Sequence, residues 1–93
     1  MEKYLIEVPH EATDVACQNA VQVFVLTGSH FLRQANWGCP DGEHKAWLIV
    51  EVESKDEARQ IVPPIFRSVA KIVKLHTYTR AEMENIEKFH TSK

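Results

Sequence analysis

Two histidines and two cysteines have the side chains best suited to bind a metal ion in this sequence. His10 and Cys17 lie near the N-terminus, whereas Cys39 and His44 lie on either side of a Pro40-Asp41-Gly42 turn. Two thiolates and two imidazoles suit a tetrahedral Zn²⁺ ion, and they also suit other soft or borderline divalent metals. Their spacing differs from the paired CxxC spacing of recognisable zinc modules. The alternative interpretation is that the cysteines are core residues and the histidines bond to backbone.

The same part of the chain also suggests a pocket for a small organic ligand. Trp37 and His44 are expected to be neighbours across a hairpin, Phe24 and Phe66 would form apolar walls, and His10 would lie at the rim. In an enzyme, His44 or His10 would act as a general base near neutral pH while Trp37 stacks on a flat substrate. The alternative is an aromatic core in which Trp37 and Phe24 only fill space.

A nucleophilic Cys39, activated by His44 or His10, is a further hypothesis. The sequence offers no identifiable third group to orient the imidazole and no oxyanion-hole loop. The chain contains three glycines, which are too few for a phosphate-binding loop. We therefore favour ligand binding or metal binding over this chemistry.

The composition is that of an ordinary globular protein. The 93 residues are 44% hydrophobic and 26% charged, which suits one domain whose small size limits how much surface it can bury. Eleven basic and thirteen acidic residues are interleaved, so the formal net charge is -2 and no basic stripe is present. This charge pattern argues against a nucleic-acid partner.

The N-terminal sequence MEKYLIEV contains an acidic residue and only a short apolar run. This pattern is typical of neither a signal peptide nor a membrane-spanning helix. We therefore expect a cytoplasmic protein without a membrane partner. In that reducing compartment, Cys17 and Cys39 are expected to be free thiols.

The hydrophobic pattern predicts the order strand, helix, strand, strand, helix, strand, followed by a helical tail. In the first strand, Tyr4, Ile6 and Val8 occupy alternate positions, which is typical of a strand buried on one face. The first helix is expected from about Thr13 to Thr27, with Thr13 or Asp14 as its cap. All 93 residues are expected to form a single domain.

A hairpin with strands at about His30–Trp37 and His44–Glu53 is expected next. Pairing across the turn places Trp37 opposite His44. The same register places Arg33 on the apolar face, which a bulge would change. The face covered by helices would then consist of alternate residues of the second hairpin strand, namely His44, Ala46, Leu48, Val50 and Val52.

The second half of the chain carries two sequence patterns for helix starts. A capping box from Ser54 to Glu57 predicts the second helix. The last strand is expected at about Ala70–Tyr78, on the basis of alternating apolar residues. A second capping box, from Thr79 to Glu82, predicts a C-terminal helical tail over residues 80–90.

The order and lengths of these elements over about residues 3–78 resemble a ferredoxin-like fold. That fold is a βαββαβ sandwich with an antiparallel four-stranded sheet and two helices on one face. The size is similar to that of small proteins of the dimeric α+β barrel superfamily, which includes isomerases, cofactor-free monooxygenases and haem-handling enzymes. The resemblance implies strand order 4-1-3-2, a homodimer and a cleft for ligands between sheet and helices. It implies no single activity for this chain.

The predicted sheet also favours a homodimer on physical grounds. The face away from the helices would carry apolar side chains that are too extensive to leave in water. Burying several hundred Å² at about 25 cal/mol per Å² would contribute about 10 kcal/mol before the costs of association. The alternative is that the tail helix covers this face. The residues expected there are Leu32, Trp47, Ile49, Ile72 and Tyr78.

Strand order 4-1-3-2 would bring His10, Cys17, Cys39 and His44 together at one end of the sheet. The sequence therefore predicts a small dimeric ferredoxin-like protein that binds a small organic ligand in a pocket between sheet and helices. One alternative is a small isomerase or cofactor-free monooxygenase with a histidine base. The other is a metal-binding protein with a Cys/His site, for which the cofactor would be a transition metal such as zinc.

Overall fold

The computed structural model describes residues 1–27 and 29–85. Its class, α+β with a four-stranded antiparallel sheet, confirms the prediction from the sequence. Within these ranges, no helix combines the length and the apolar character needed to cross a membrane. The elements are β1 (Glu2–Pro9), α1 (Asp14–Thr27), α2 (His30–Arg33), β2 (Asn36–Trp37), a 3-10 turn (Cys39–Asp41), β3 (Lys45–Val52), α3 (Lys55–Ile61), a 3-10 turn (Pro64–Phe66), β4 (Lys71–Leu75) and α4 (Arg80–Met83).

Strand β1 lies inside the sheet, between β3 and β4. The strand order is β2-β3-β1-β4, and each neighbouring pair is antiparallel. β1 pairs with β3 over its whole length, from Glu2 opposite Val52 to Pro9 opposite Lys45. The residues that follow β1 and precede β3 therefore meet at the same end of the sheet.

Alternate residues of the strands form one face of the core. Tyr4, Ile6 and Val8 of β1 are buried, as predicted, because successive strand residues point to opposite faces. Phe24 of α1 and Val62, which follows α3, pack into the same core. Fully burying such a side chain contributes about 1.5–3 kcal/mol. The other core residues are Leu32, Ala46, Leu48, Val50, Val52, Ala58, Ala70 and Ile72.

The first strand of the hairpin is much shorter than the sequence pattern predicts. Residues His30–Arg33 form a helical turn, and β2 contains only Asn36–Trp37. The helical turn buries Leu32 in the core and leaves His30 and Arg33 exposed. The predicted strand would have placed the charged Arg33 on the apolar face, where an unpaired charge is costly. The prediction of a strand over residues 30–37 is therefore wrong.

The pairing between β2 and β3 also differs from the predicted register. Trp37 lies opposite Ala46 and not opposite His44, because the backbone N–H of Gly38 donates to the carbonyl of Lys45 and closes the hairpin there, with an N···O distance of 3.1 Å. The connection from 39 to 44 is thus longer than the predicted turn. Since the shift is an even number of residues, Trp37 and Ala46 keep their predicted face.

Strand β4 is shorter than predicted and exposes a different face. It ends at Leu75, so Tyr78 lies outside the sheet. Ile72 pairs with Ile6 and is 6% exposed, so its predicted place on the uncovered face is wrong, as it is for Leu32. The register with β1 decides this, because partners across a strand pair share a face. The open face, as we name it, instead carries Leu5, Trp47, Ile49, Val73 and Leu75.

Polar side chains begin both helices of the second half of the chain as predicted. The Ser54 hydroxyl accepts from the N–H of Glu57, while the Glu57 carboxylate accepts from the N–H one residue before the cap. Thr79 and Glu82 make both hydrogen bonds of a capping box. These bonds satisfy donors that a helix start leaves unpaired. Of the predicted tail helix, residues 86–90 lie outside the described residues.

Candidate functional site

His10 and His44 face each other just beyond the paired ends of β1 and β3. The N–H of His10 donates to the carbonyl of His44 at 3.1 Å, which extends the strand pairing by one position past Pro9 and Lys45. Two residues along each strand, Val8 and Ala46 are buried in the core. Alternation therefore directs both imidazoles toward the core side. Their ring centroids are 5.5 Å apart, with the planes at 81°.

The hairpin turn holds Cys39 beside these histidines. A Cβ atom on Gly38 would lie 2.6 Å from the carbonyl oxygen of Glu43 and 2.6 Å from the ring of Trp47, so only glycine allows this close approach. Gly42 ends the turn with a φ of 83°, in the left-handed region that favours glycine. The two glycines thus shape the turn that positions the thiol.

A hydrogen-bond network sets the protonation of His10. Its Nδ1 lies 2.8 Å from the carbonyl oxygen of Glu11. Because a carbonyl can only accept, Nδ1 carries the proton and Nε2 offers a lone pair. That Nε2 is 3.0 Å from Sγ of Cys39, so the thiol donates to it. A backbone carbonyl that orients an imidazole in this way is a frequent second partner of metal-binding histidines.

His44 completes a compact group of three potential metal ligands. One donor atom each from His10, Cys39 and His44 can be chosen so that all lie within 4.8 Å of one another. Nδ1 of His44 is buried and has no hydrogen-bond partner within the described part of the chain. Leaving a buried polar atom unsatisfied costs about 1–3 kcal/mol. A ligand that bonds to this nitrogen would remove the cost.

Cys17, the fourth predicted ligand, lies outside this group of three and lines a cavity together with Cys39. It is in the first half of α1, which begins after Thr13, whose hydroxyl accepts from the N–H of Ala16. Hydrogen bonding to Cys39 raises the pKa of Cys17 to about 11, and burial and the electrostatic influence of Cys39 and Asp14 contribute in the same direction. The thiol is therefore neutral near pH 7, and a metal would have to displace its proton.

The aromatic residues predicted to line a pocket form a row that leads into the core. Phe24 is 1% exposed, and its ring centroid lies 4.9 Å from that of Trp37 and 6.0 Å from that of Phe66. Trp37 in turn lies 6.2 Å from the ring of His10. Offset and edge-on pairs at these separations are stabilising. Phe24 thus fills the core, while Trp37 and Phe66 are partly buried at its border.

Two solvent-open cavities flank the histidine–cysteine cluster. One, of about 600 Å³, lies between α1 and the 3-10 turn at Pro64–Phe66; of the predicted site residues, His10 and Phe66 line it, but Trp37, Phe24 and His44 do not. The other, of about 460 Å³, is lined by Cys17, Cys39 and Trp37. The structure therefore separates the imidazole of His44 from both cavities.

Some groups that shape the site cannot be identified from residue type alone. The carbonyl of Glu11 orients His10, and Asn19 adds a polar group to the larger cavity. The exclusion of a side chain at Gly38 positions Cys39. The sequence does contain one signal for Gly38. It lies between Trp37 and Cys39 in a predicted hairpin, and a glycine in a strand often marks a close approach of other groups.

Comparisons of the chain with protein-family models, curated proteins and solved structures found no match.

Proposed function

We propose that this protein binds a transition metal ion, Zn²⁺, through Nε2 of His10, Sγ of Cys39 and Nδ1 of His44. The observation that supports this most directly is the mutual approach of the three donor atoms within 4.8 Å. The buried Nδ1 of His44 is an independent indication, because none of the residues that the structure describes forms a hydrogen bond with it. Two imidazoles and a thiolate are a donor set that zinc prefers.

The distances suit a tetrahedral ion after small side-chain movements. With Zn–N and Zn–S bonds of about 2.05 and 2.3 Å, tetrahedral ligand atoms lie about 3.4 to 3.6 Å apart. The Cys39–His10 contact, at 3.0 Å, would widen by about half an ångström when a metal replaces the thiol proton. Separations near the 4.8 Å limit would shorten by somewhat more than one ångström.

Cys17 is the proposed fourth ligand. Its side chain and that of Cys39 line the same cavity of about 460 Å³, and Cys39 raises the pKa of the Cys17 thiol. With Cys17 bound, the site would be a closed structural site, whereas water in its place would leave an open position for catalysis.

The raised pKa of Cys17 means that binding would release a proton from this thiol.

Titration of metal-free protein with Zn²⁺, followed by calorimetry, tests the site. We expect one ion per chain and a loss of affinity of more than about 100-fold in His44→Ala, since even a second-shell change can cost 10–100-fold. His30→Ala removes an exposed histidine outside the cluster and is the matched control. Co²⁺ titration should add a thiolate-to-metal absorption band that loses intensity in Cys39→Ala and disappears when Cys17 is also replaced by alanine.

A fully folded protein that binds no Zn²⁺ would refute the metal site. The same conclusion would follow if His30→Ala and His44→Ala bound the ion equally well.

Binding of a small organic molecule is a second proposal, supported by the cavity of about 600 Å³. Its walls are mainly apolar and include Ala20, Val23 and Phe66, while His10 and Asn19 add polar groups. This combination suits a small apolar molecule with one polar group. In the related enzyme proposal, an isomerase or cofactor-free monooxygenase, His10 is the favoured general base because it lines this cavity and His44 does not.

Fluorescence of 1-anilinonaphthalene-8-sulfonate measures this cavity directly. We expect saturable binding that weakens at least about tenfold, or 1.4 kcal/mol, in Val23→Phe, because the larger side chain fills the space. Val25→Phe makes the same change at an exposed position of α1 outside this cavity. Equal binding by both variants would show that the dye binds elsewhere.

We further propose a cytoplasmic, ferredoxin-like homodimer of the dimeric α+β barrel type. The strand order, which reads 4-1-3-2 from the other edge, supports the fold. The dimer proposal is supported by the open face, where Ile49 is 60% exposed and lies opposite Leu5. The free thiols of Cys17 and Cys39 suit a reducing compartment.

Sedimentation analysis of variants tests the dimer. Ile49→Lys places a charge in the centre of the open face and should convert a dimer to a monomer, because an unpaired buried charge is costly. Val15→Lys changes another exposed apolar residue, on α1, and should leave the dimer intact. A monomeric wild-type protein at high concentration would contradict the proposal.

A further inference from the structure

Cys17 and Cys39 are adjacent thiols at the rim of a solvent-open cavity. Both are free and partly buried, and both line the cavity of about 460 Å³ together with Asp14, Trp37 and Pro40. Cys39 is also near enough to Cys17 to raise the pKa of the Cys17 thiol. The two residues come from different elements, the helix α1 and the hairpin turn, which the fold brings together. A small molecule in the cavity would therefore meet both sulfur atoms.

The two thiols have different surroundings. Sγ of Cys39 lies 3.0 Å from Nε2 of His10, which has a free lone pair because its Nδ1 donates to the carbonyl of Glu11 at 2.8 Å. An imidazole in this position can accept the thiol proton as sulfur attacks. Within the residues that the structure describes, no imidazole forms a hydrogen bond with Cys17. Cys39 is therefore placed to attack first and Cys17 to attack second.

We propose that Cys17 and Cys39 form a reversible disulfide by exchange with a low-molecular-weight disulfide, and that this reaction releases the bound metal. The disulfide follows from the placement of the two thiols alone. Only the release of metal rests on the proposed function. The result is a site that holds Zn²⁺ when its cysteines are reduced and loses it when they are oxidised.

The exchange proceeds in two balanced steps. The sulfur of Cys39 attacks one sulfur of the small disulfide RSSR, a mixed Cys39–S–S–R bond forms, and one RSH leaves with the proton that His10 accepted. The sulfur of Cys17 then attacks the sulfur of Cys39, and the second RSH leaves with the Cys17 proton. Two protein thiols are oxidised while one RSSR is reduced to two RSH.

Disulfide formation removes both sulfur ligands from the metal at once. A thiolate is the form of cysteine that binds zinc, and neither sulfur of a disulfide carries that charge. His10 and His44 would then be the remaining ligands of the cluster. Two imidazoles bind zinc much more weakly than two imidazoles and two thiolates, so the ion would dissociate.

Intact-mass measurement of metal-free, reduced protein after incubation with oxidised glutathione tests the first part. Wild-type protein is expected to lose two hydrogen atoms per chain and to carry no glutathione. Cys17→Ser is expected to keep one glutathione on Cys39, because the second attack is absent. Cys39→Ser is expected to react at Cys17 at least about tenfold more slowly, since that thiol has no imidazole partner. Digestion without reductant locates each bond.

Two results would overturn the disulfide proposal. One is wild-type protein that keeps glutathione without forming the internal bond, and the other is equal reactivity of the two single-cysteine variants. Cys17→Ala and Cys39→Ala repeat the comparison without the added hydroxyl, and circular dichroism verifies that each variant is folded.

Zn²⁺ titration of the oxidised and the re-reduced protein tests the second part. We expect oxidation to weaken binding at least about 100-fold, and dithiothreitol to restore it. Equal binding by both forms would overturn the release of metal. If the reduced protein binds no Zn²⁺, the proposed function and the release step both fail, while the mass measurement still decides whether the disulfide forms.

Discussion

Burial has different consequences for the imidazole of His44 and the thiol of Cys17. Nδ1 of His44 is buried and has no hydrogen-bond partner among residues 1–27 and 29–85, so a group that bonds to it would remove the free-energy cost of leaving it unsatisfied. For the Cys17 thiol, the presence of Cys39 nearby and burial both favour the neutral form. Metal binding would satisfy the nitrogen and ionise the sulfur. The affinity of the proposed site is therefore expected to increase with pH, because binding requires the Cys17 thiol to lose its proton.

Replacing Cys39 by alanine should lower the pKa of Cys17. Hydrogen bonding to Cys39 is the largest cause of the increase in the pKa of Cys17 from 9.0 to about 11. Cys39→Ala should therefore bring this pKa most of the way back to 9.0. Asp14→Asn removes the smallest cause and should have less effect. The rate of alkylation of Cys17 by iodoacetamide, measured against pH in metal-free protein, gives both values. A larger effect of Asp14→Asn would contradict this account.

The raised pKa of Cys17 makes the stability of the metal-free protein decrease at alkaline pH. Because the folded state holds the Cys17 proton more tightly than the unfolded state, this contribution is complete below about pH 9 and is lost as pH rises toward 11.

The pKa of Glu82 should rise when His76 is replaced. The N–H of Thr79 and the ring of His76, at 3.0 Å, bond to the Glu82 carboxylate and hold its pKa below 4.5. His76→Ala removes the second of these causes, so the pKa should rise but stay below 4.5. Carboxyl carbon shifts measured by NMR against pH give the value. The stability from this charge is present above about pH 4.5 and is lost as pH falls through the lowered pKa.

At the scale of elements, the hairpin turn and the ends of β1 and β3 assemble the cluster. The paired strands bring His10 opposite His44, and the connection from 39 to 44 folds back so that Cys39 reaches both. This connection depends on close contact between backbone segments at Gly38. The metal site and the shape of the turn are therefore expected to fail together.

Gly38→Ala should destabilise the fold by about 1–3 kcal/mol and weaken metal binding. The new Cβ would collide with the backbone of Glu43 and the ring of Trp47, and overpacking has costs of this size. Gly42→Ala is the comparison, because it meets nothing within 4 Å but strains the left-handed backbone, which costs about 1–2 kcal/mol. Urea unfolding measures both.

Zn²⁺ binding should set these two glycine variants apart. Gly42→Ala should retain most of its affinity, whereas Gly38→Ala should lose it because Cys39 is displaced. Unchanged affinity in Gly38→Ala would show that the turn does not position the ligand.

For the whole molecule, the proposed metal site would link metal binding to folding stability. The proposed ligands lie just after β1, in α1 and in the connection before β3, so only the folded chain holds them together. Zn²⁺ at about 100 times its dissociation constant should therefore stabilise the protein by about 2.7 kcal/mol. Thermal unfolding with Zn²⁺ and with a chelator measures the difference. Cys39→Ala should abolish it, and an identical Tm in both conditions for wild-type protein would contradict the link.

The alternation of apolar residues and the capping patterns determined much of this fold from the sequence alone. Tyr4, Ile6 and Val8 lie on the core face, and Ser54 and Thr79 cap helices, because strand alternation and capping are local properties of the chain. The order in which the elements pair predicted that His10, Cys17, Cys39 and His44 meet, and the structure groups the donor atoms of His10, Cys39 and His44 within 4.8 Å while Cys17 lies outside that group.

The tertiary structure decided what depends on contacts between distant segments. Residues 30–33 are helical because that turn buries Leu32 and leaves Arg33 exposed, and Ile72 lies in the core because β4 pairs with β1 in that register. The same contacts decide that His10 lines the larger cavity while His44 does not. A local sequence pattern cannot contain this information, because it is set by the packing of residues far apart in the chain.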